Sequence, residues 1–188
     1  LQIQAKPSMM SAKGGKVVAR PQPGEHEHKH EIFGVPDEFR TQLWAVVQRY
    51  LSLKDALAGD DKDAAVKAAG QMLEVLSEVD MSLVSGEAHN TWMSNSTKMK
   101  ASLDEITEAD GIEAARKAFE KLSSELIAVA VQFEIHKTQT LYRFHCPMAF
   151  DNRGADWLQM DKDTRNPYFG ATMLKCGEIV EVIGRKTK

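Results

Sequence analysis

The chain has 188 residues, 43% of them apolar and 27% charged, with 24 Lys and Arg against 27 Asp and Glu. A net charge of −3 gives no electrostatic reason for a nucleic acid or an anionic membrane surface as partner. Two cysteines, beside nine methionines and six histidines, exclude a cysteine-only zinc site and a disulfide-rich scaffold. They leave one disulfide or two soft ligands.

Leu1 to Ala5 alternates apolar and polar residues as a strand does. The chain opens on Leu rather than Met and reads as a piece of something longer, so the lack of a signal-peptide pattern says little about compartment. No stretch approaches the roughly 20 apolar residues that span a bilayer. The best, Leu126 to Phe133, is short and contains Gln132. Residues 6–31 read as a linker, with Pro7, Pro21, Pro23, Gly14, Gly15 and Gly24 and few large apolar side chains. Within it His26, His28 and His30 alternate with charges, which fits a solvated tail better than a metal-collecting tract.

A helical pattern begins at Pro36, with Asp37 and Glu38 near the positive end of the helix dipole. Phe39, Leu43, Val46, Val47, Tyr50 and Leu57 form its stripe, and Gly59 stops it. Asp60 or Asp61 caps a second helix, whose stripe runs through Ala65, Ala68, Met72, Val75, Leu76, Val79 and Leu83 to an end near Gly86. A third, shorter stripe takes in His89, Trp92, Met93, Ser96, Met99 and Leu103. Asp110 and Glu113 have capping-box spacing for a fourth helix, with Ile112, Ala115, Phe119, Leu122, Leu126, Val129 and Phe133 inward. Four such helices on short loops predict an antiparallel four-helix bundle.

After Thr140 the period changes to two. Leu141–Cys146 reads as a strand, with Tyr142, Phe144 and Cys146 on one face and Leu141, Arg143 and His145 on the other. Ile179–Ile183 is a second β-branched run. Pairing the two antiparallel gives a small two-stranded hairpin with a long connecting loop, in a chain that is mainly α. It also places Cys146 near Cys176, at a separation that suits a disulfide and equally suits two ligands on one ion. As a disulfide, the loop would contribute roughly 3.6 kcal/mol in the chain-entropy model. Met148 follows Cys146 by two residues and Met173 precedes Cys176 by three. Thiolate with thioether selects a soft monovalent ion, Cu(I) or Ag(I), over zinc and harder ions. Either methionine alone is an ordinary gap-filler. Nothing beside either thiol suggests nucleophilic catalysis, because strand alternation turns His145 away from Cys146.

Four segments in order carry a resemblance: Tyr142-Arg143-Phe144-His145-Cys146-Pro147-Met148-Ala149, Gly154-Ala155-Asp156-Trp157-Leu158, Asn166-Pro167-Tyr168-Phe169-Gly170 and Met173-Leu174-Lys175-Cys176-Gly177. Over about residues 36–183 the chain resembles a C-terminal domain, formerly of unknown function, of periplasmic adaptor (membrane-fusion) subunits of resistance-nodulation-division heavy-metal efflux systems. Leu1 to Gly15 is similar to the end of the last β-domain of such adaptors, so residues 1–34 become that end plus a linker and residues 35–188 the helical module. The resemblance implies a periplasmic location and a copper or silver export system. It further implies a non-enzymatic role in metal capture or hand-over, with the pump's inner-membrane transporter and outer-membrane channel as partners through the parent adaptor. No membrane insertion by this segment is expected. Its motifs fall on Cys146, Met148, Met173 and Cys176. His89 and Met93, four apart on one helix face beside Trp92, are further ligand candidates, and His136 a lesser one. The bland alternative for His89 and Met93 is a core stripe. The alternative for the whole chain is a structural docking module stapled by a Cys146–Cys176 disulfide. The turns at Asn152-Arg153-Gly154 and Asn166-Pro167-Tyr168 read as structural, holding the loop that returns Met173 to Cys146.

Overall fold

A computed structural model describes residues 31–135 and 139–184. The expected strand at Leu1–Ala5, most of the linker with His26, His28 and His30, and the candidate His136 lie outside the described residues. The described chain is mainly α, with four helices followed by a small antiparallel sheet. The helices are α1 (Asp37–Ala58), α2 (Lys62–Ser77), α3 (Gly86–Thr107) and α4 (Ile112–Gln132). They pack in sequence order, α1 on α2, α2 on α3 and α3 on α4.

The stripes read from sequence supply the core. Phe39, Val47, Tyr50, Leu57, Ala65, Met72, Met99, Leu103, Phe119, Leu122 and Phe133 are all fully buried. Phe39, Trp92 and Phe133 meet edge-on or tilted, with ring centroids 5.6–6.3 Å apart. Phe33 also joins this cluster, and its N–H donates to the Gln132 carbonyl (2.8 Å). Arg40 lies buried at the C-terminal end of α4 and donates from Nε to the Phe133 carbonyl (3.1 Å), a cation satisfying an orphan acceptor.

Three helix boundaries differ from the expected ones. Asp61 does cap α2, accepting from the Ala64 N–H (2.9 Å). That helix nevertheless ends at Ser77, so Leu83 sits in a separate 3₁₀ turn, Met81–Leu83, opened by Asp80. Gly86 begins α3 instead of ending α2, with a φ of +60° that favours glycine. The Asp110–Glu113 capping box does not form either. Gly111 is the N-cap of α4, and Glu113 pairs instead with Arg116 (2.9 Å).

The sheet holds one strand more than the expected hairpin. Its order is β2-β1-β3, with β1 (Leu141–Cys146) between β2 (Ala155–Gln159) and β3 (Glu178–Ile183), both antiparallel to it. The expected pairing of β1 with β3 is present, with a bulge between Arg143 and Phe144. β2 arises because Trp157 and Leu158 bury completely against α4. Its burial is nearly continuous along the strand, so the segment lacks the alternation that marks a half-exposed strand.

Candidate metal centre

Cys146 ends β1 and is fully buried, while Cys176 lies just before β3 and is partly buried. Their sulfurs stand 3.3 Å apart, so one S–H reaches the other sulfur. This contact is what antiparallel pairing of the two strands predicts. Burial raises the Cys176 thiol pKa first of all, and the neighbouring Cys146 sulfur raises it further. A thiol shifted that way is a poor free nucleophile.

Buried polar groups hold Cys176 in place. Asn166 is fully buried, and its Nδ2 donates to the Cys176 carbonyl (2.7 Å). Its Oδ1 accepts from the Tyr168 N–H (2.8 Å), and its own N–H donates to the Leu174 carbonyl (2.9 Å). Gly177 has a φ of +129°, and a Cβ there would lie 2.5 Å from the Trp157 ring. Only glycine lets the chain pass so close to that indole. Trp157 in turn stacks on Phe144 (5.3 Å) and meets Tyr168 edge-on (5.9 Å).

Met148 and Met173 line one open cavity of about 510 Å³ together with Arg116, Phe150, Tyr168 and Phe169. Met148 is 48% exposed and Met173 is partly buried. Each is joined to its cysteine by a short run of chain, and the Cys176 N–H donates to the Met173 carbonyl (3.0 Å). Thus the structure gathers the two thiols into contact and the two thioethers around one cavity.

His89 and Met93 are elsewhere. Trp92 between them packs on Phe133, and Asn95 one turn later bonds Gln132 (3.3 Å), so this part of α3 lies against the C-terminal end of α4. Ala155, the β2 partner of Cys146, shares a cleft with Glu120 and Ser124, roughly three helical turns earlier in α4. His89 Nδ1 faces the Met81 carbonyl at 3.4 Å, and Met93 is 38% exposed. The four-residue spacing put them on one helix face, but that face belongs to the other end of the bundle.

In the cleft shared with Glu120 and Ser124 of α4, His145 Nδ1 is 2.6 Å from Asp156 Oδ1, and Arg143 binds the other carboxylate oxygen (2.6 and 2.8 Å). Arg143 also reaches Glu181 on β3 (3.1 Å), so one polar ladder crosses all three strands. As the alternation predicts, His145 faces away from Cys146. Its partner Asp156 was not legible in sequence, because it lies on the strand that the pattern did not show. Among the described residues, no group of three or more His, Cys, Asp and Glu side chains converges as a metal cluster.

The fold and site together define a class: a four-helix module carrying a small sheet with a paired-thiol, thioether-flanked corner. A family described as "Protein of unknown function (DUF3347)" matches residues 46–138, just under half of the chain. The match spans most of α1 through α4 and stops before β1, so the likeness concerns the bundle and not the sulfur-bearing corner. No curated protein and no solved structure matches the chain.

Proposed function

We propose that this chain is a non-enzymatic metal-binding module that takes up a soft monovalent ion, Cu(I) or Ag(I), through Cys146 and Cys176, with Met148 and Met173 contributing thioethers. The observation that carries the reading is the 3.3 Å contact between two sulfurs from segments thirty residues apart, with the methionines that neighbour them in the chain both lining one cavity. Thiolate and thioether donors without a third His, Cys or carboxylate favour a soft ion of low coordination number over zinc. The ion is cargo: it is captured and handed on by ligand exchange, and no bond of a substrate is made or broken. The resemblance in the four C-terminal motifs supports a periplasmic setting within a heavy-metal efflux adaptor, acting with the transporter and channel of its pump. No helix among the described residues is long and apolar enough to cross a membrane.

Competition of the reduced chain for Cu(I) against a colorimetric chelator tests this directly. The chain is expected to win metal from the chelator, and Cys176→Ser to lose most of that capacity while still folding, since Cys176 is the less buried of the two. Failure of the native chain to compete, or an unchanged affinity in Cys176→Ser, would overturn it. One observation also favours a second reading, a docking module stapled by a Cys146–Cys176 disulfide: sulfurs already in contact need little movement to bond. Its mark would be absence of free thiols in protein taken directly from its compartment, together with no Cu(I) uptake after reduction.

A further inference from the structure

The cavity that holds the two thioethers has a construction of its own. Met148 stands at its rim, Met173 lies deeper, and Phe150, Tyr168 and Phe169 supply aromatic walls. The backbone beside Met148 is strained. Phe150, Asp151 and Asn152 take consecutive positive φ values of 50°, 58° and 63°, followed by Gly154 at 80°. Three non-glycine residues in this region cost on the order of 1–3 kcal/mol each, and such strain persists only where surrounding contacts fix it. Here the Phe150 ring is fixed edge-on against Tyr168 (5.4 Å), and the Arg153 guanidinium covers it at 5.5 Å. The turn reverses the chain directly after Cys146-Pro147-Met148, which keeps Met148 at the mouth while Cys146 is sealed in the core. Exposure therefore falls stepwise along the sulfurs, from Met148 through the partly buried Met173 and Cys176 to the fully buried Cys146.

We infer that this cavity is a thioether landing site for a soft monovalent cation, occupied before the thiol pair: Met148 and Met173 take the ion from solvent and pass it to Cys176 and then Cys146. The inference rests on the metal-binding reading and adds a second, separable stop. Thioethers carry no proton, so the first capture is independent of pH in the neutral range. Transfer to the thiols replaces each thioether–metal bond with a thiolate–metal bond, and each thiol releases its proton to solvent as it binds.

The test uses the full chain and Ag(I). With both thiols removed by Cys146→Ala/Cys176→Ala, Ag(I) is expected to shift the side-chain methyl resonances of Met148 and Met173, and Met148→Leu/Met173→Leu on that background to abolish any binding that remains. In reduced protein that keeps both cysteines, the same double methionine substitution is expected to slow loading about tenfold in stopped flow, a larger effect than the one it has on equilibrium affinity. Leucine is close to methionine in volume, so folding is preserved, and circular dichroism checks it. An unchanged loading rate, or no methionine shift in the chain lacking both cysteines, overturns the landing site and leaves the thiol reading standing. Loss of thiol binding in native protein with methionine shifts retained would overturn the thiol reading and keep the cavity as the metal site. Silence of both sulfur sets overturns both.

Discussion

The two ends of this molecule are built by different physics. The bundle is held by apolar stripes: Phe39, Trp92 and Phe133 form an aromatic cluster at one end of α4 that any well-shaped hydrophobic set could fill. The sheet and its loop are held by buried polar hubs. Tyr50 Oη meets the Ser123 hydroxyl (2.8 Å) and accepts from the Leu158 N–H (3.1 Å), tying β2 to the bundle. Gln159 ties the following turn, donating to the Asp161 and Asp163 carbonyls (2.7 and 3.0 Å) and accepting from the Trp157 indole N–H (3.0 Å). Arg116, almost fully buried, donates to the Pro167 and Leu57 carbonyls (2.9 and 3.0 Å) and pairs with Asp60 (2.6 Å). Hydrophobic packing gives stability without fixing every atom. Directional bonds to named partners fix position, and the sulfurs need position.

That contrast can be broken in order of effect. Trp92→Ala, deep in the bundle, should cost about 3–5 kcal/mol of unfolding free energy in denaturant titration. It should leave Cu(I) affinity nearly unchanged in whatever fraction stays folded, and a parallel loss of affinity would show that the two ends are not separate. Asn166→Ala strands the Cys176 carbonyl and the Tyr168 N–H in a buried site, at about 1–3 kcal/mol each. Its stability loss should be of similar size, and its loss of Cu(I) affinity the larger of the two. An unaltered affinity would mean that the thiol pair does not depend on this hub.

Next in size is a pH effect confined to the sulfur corner. The raised Cys176 pKa means the metal-free folded chain holds that proton more tightly than the unfolded chain. This contribution to stability is complete below the ordinary thiol value and is lost as pH rises through the raised one. Metal binding runs the other way, since the ion displaces the proton. Apparent Cu(I) affinity should therefore climb with pH, by up to about tenfold per pH unit for each proton released. Competition titrations from pH 6 to 8 would show a flat profile if thioethers alone bind the ion. The smallest effect is at Asp60, whose carboxyl is held below the usual range by the Ala171 N–H and then by Arg116. Its contribution is present above the ordinary carboxylate value and disappears as pH falls through the lowered one. Asp60 is substantially exposed, so Asp60→Asn should lower the melting temperature only slightly at neutral pH, with the difference vanishing in acid.

Much of the bundle was legible because helical periodicity is local: a stripe every three or four residues identifies the buried face wherever its partner lies. The same locality explains the boundary errors. Leu83 continues the α2 spacing by coincidence of register, while the chain has already left the helix at Ser77. The Asp110–Glu113 spacing fits a cap, yet Gly111 takes that position and Arg116 claims Glu113. β2 was hidden because a strand buried along most of its length lacks the alternation that a sequence pattern detects. At the site, Met148 and Met173 neighbour the two cysteines in the chain and line one cavity together. Spacing along the chain could not tell that His89 and Met93 face the other end of α4.

The sequence by itself determined the four helices, the antiparallel pairing of β1 with β3, and the approach of Cys146 to Cys176 that this pairing entails. Each follows from residues adjacent in chain or one register apart. Tertiary structure alone decided the third strand, the Asn166 hub that positions Cys176, the left-handed turn that holds Met148 at the rim, and which helix residues lie near sulfur. The physical reason is that these features depend on side chains far apart in sequence burying against one another, and no local period encodes such a meeting.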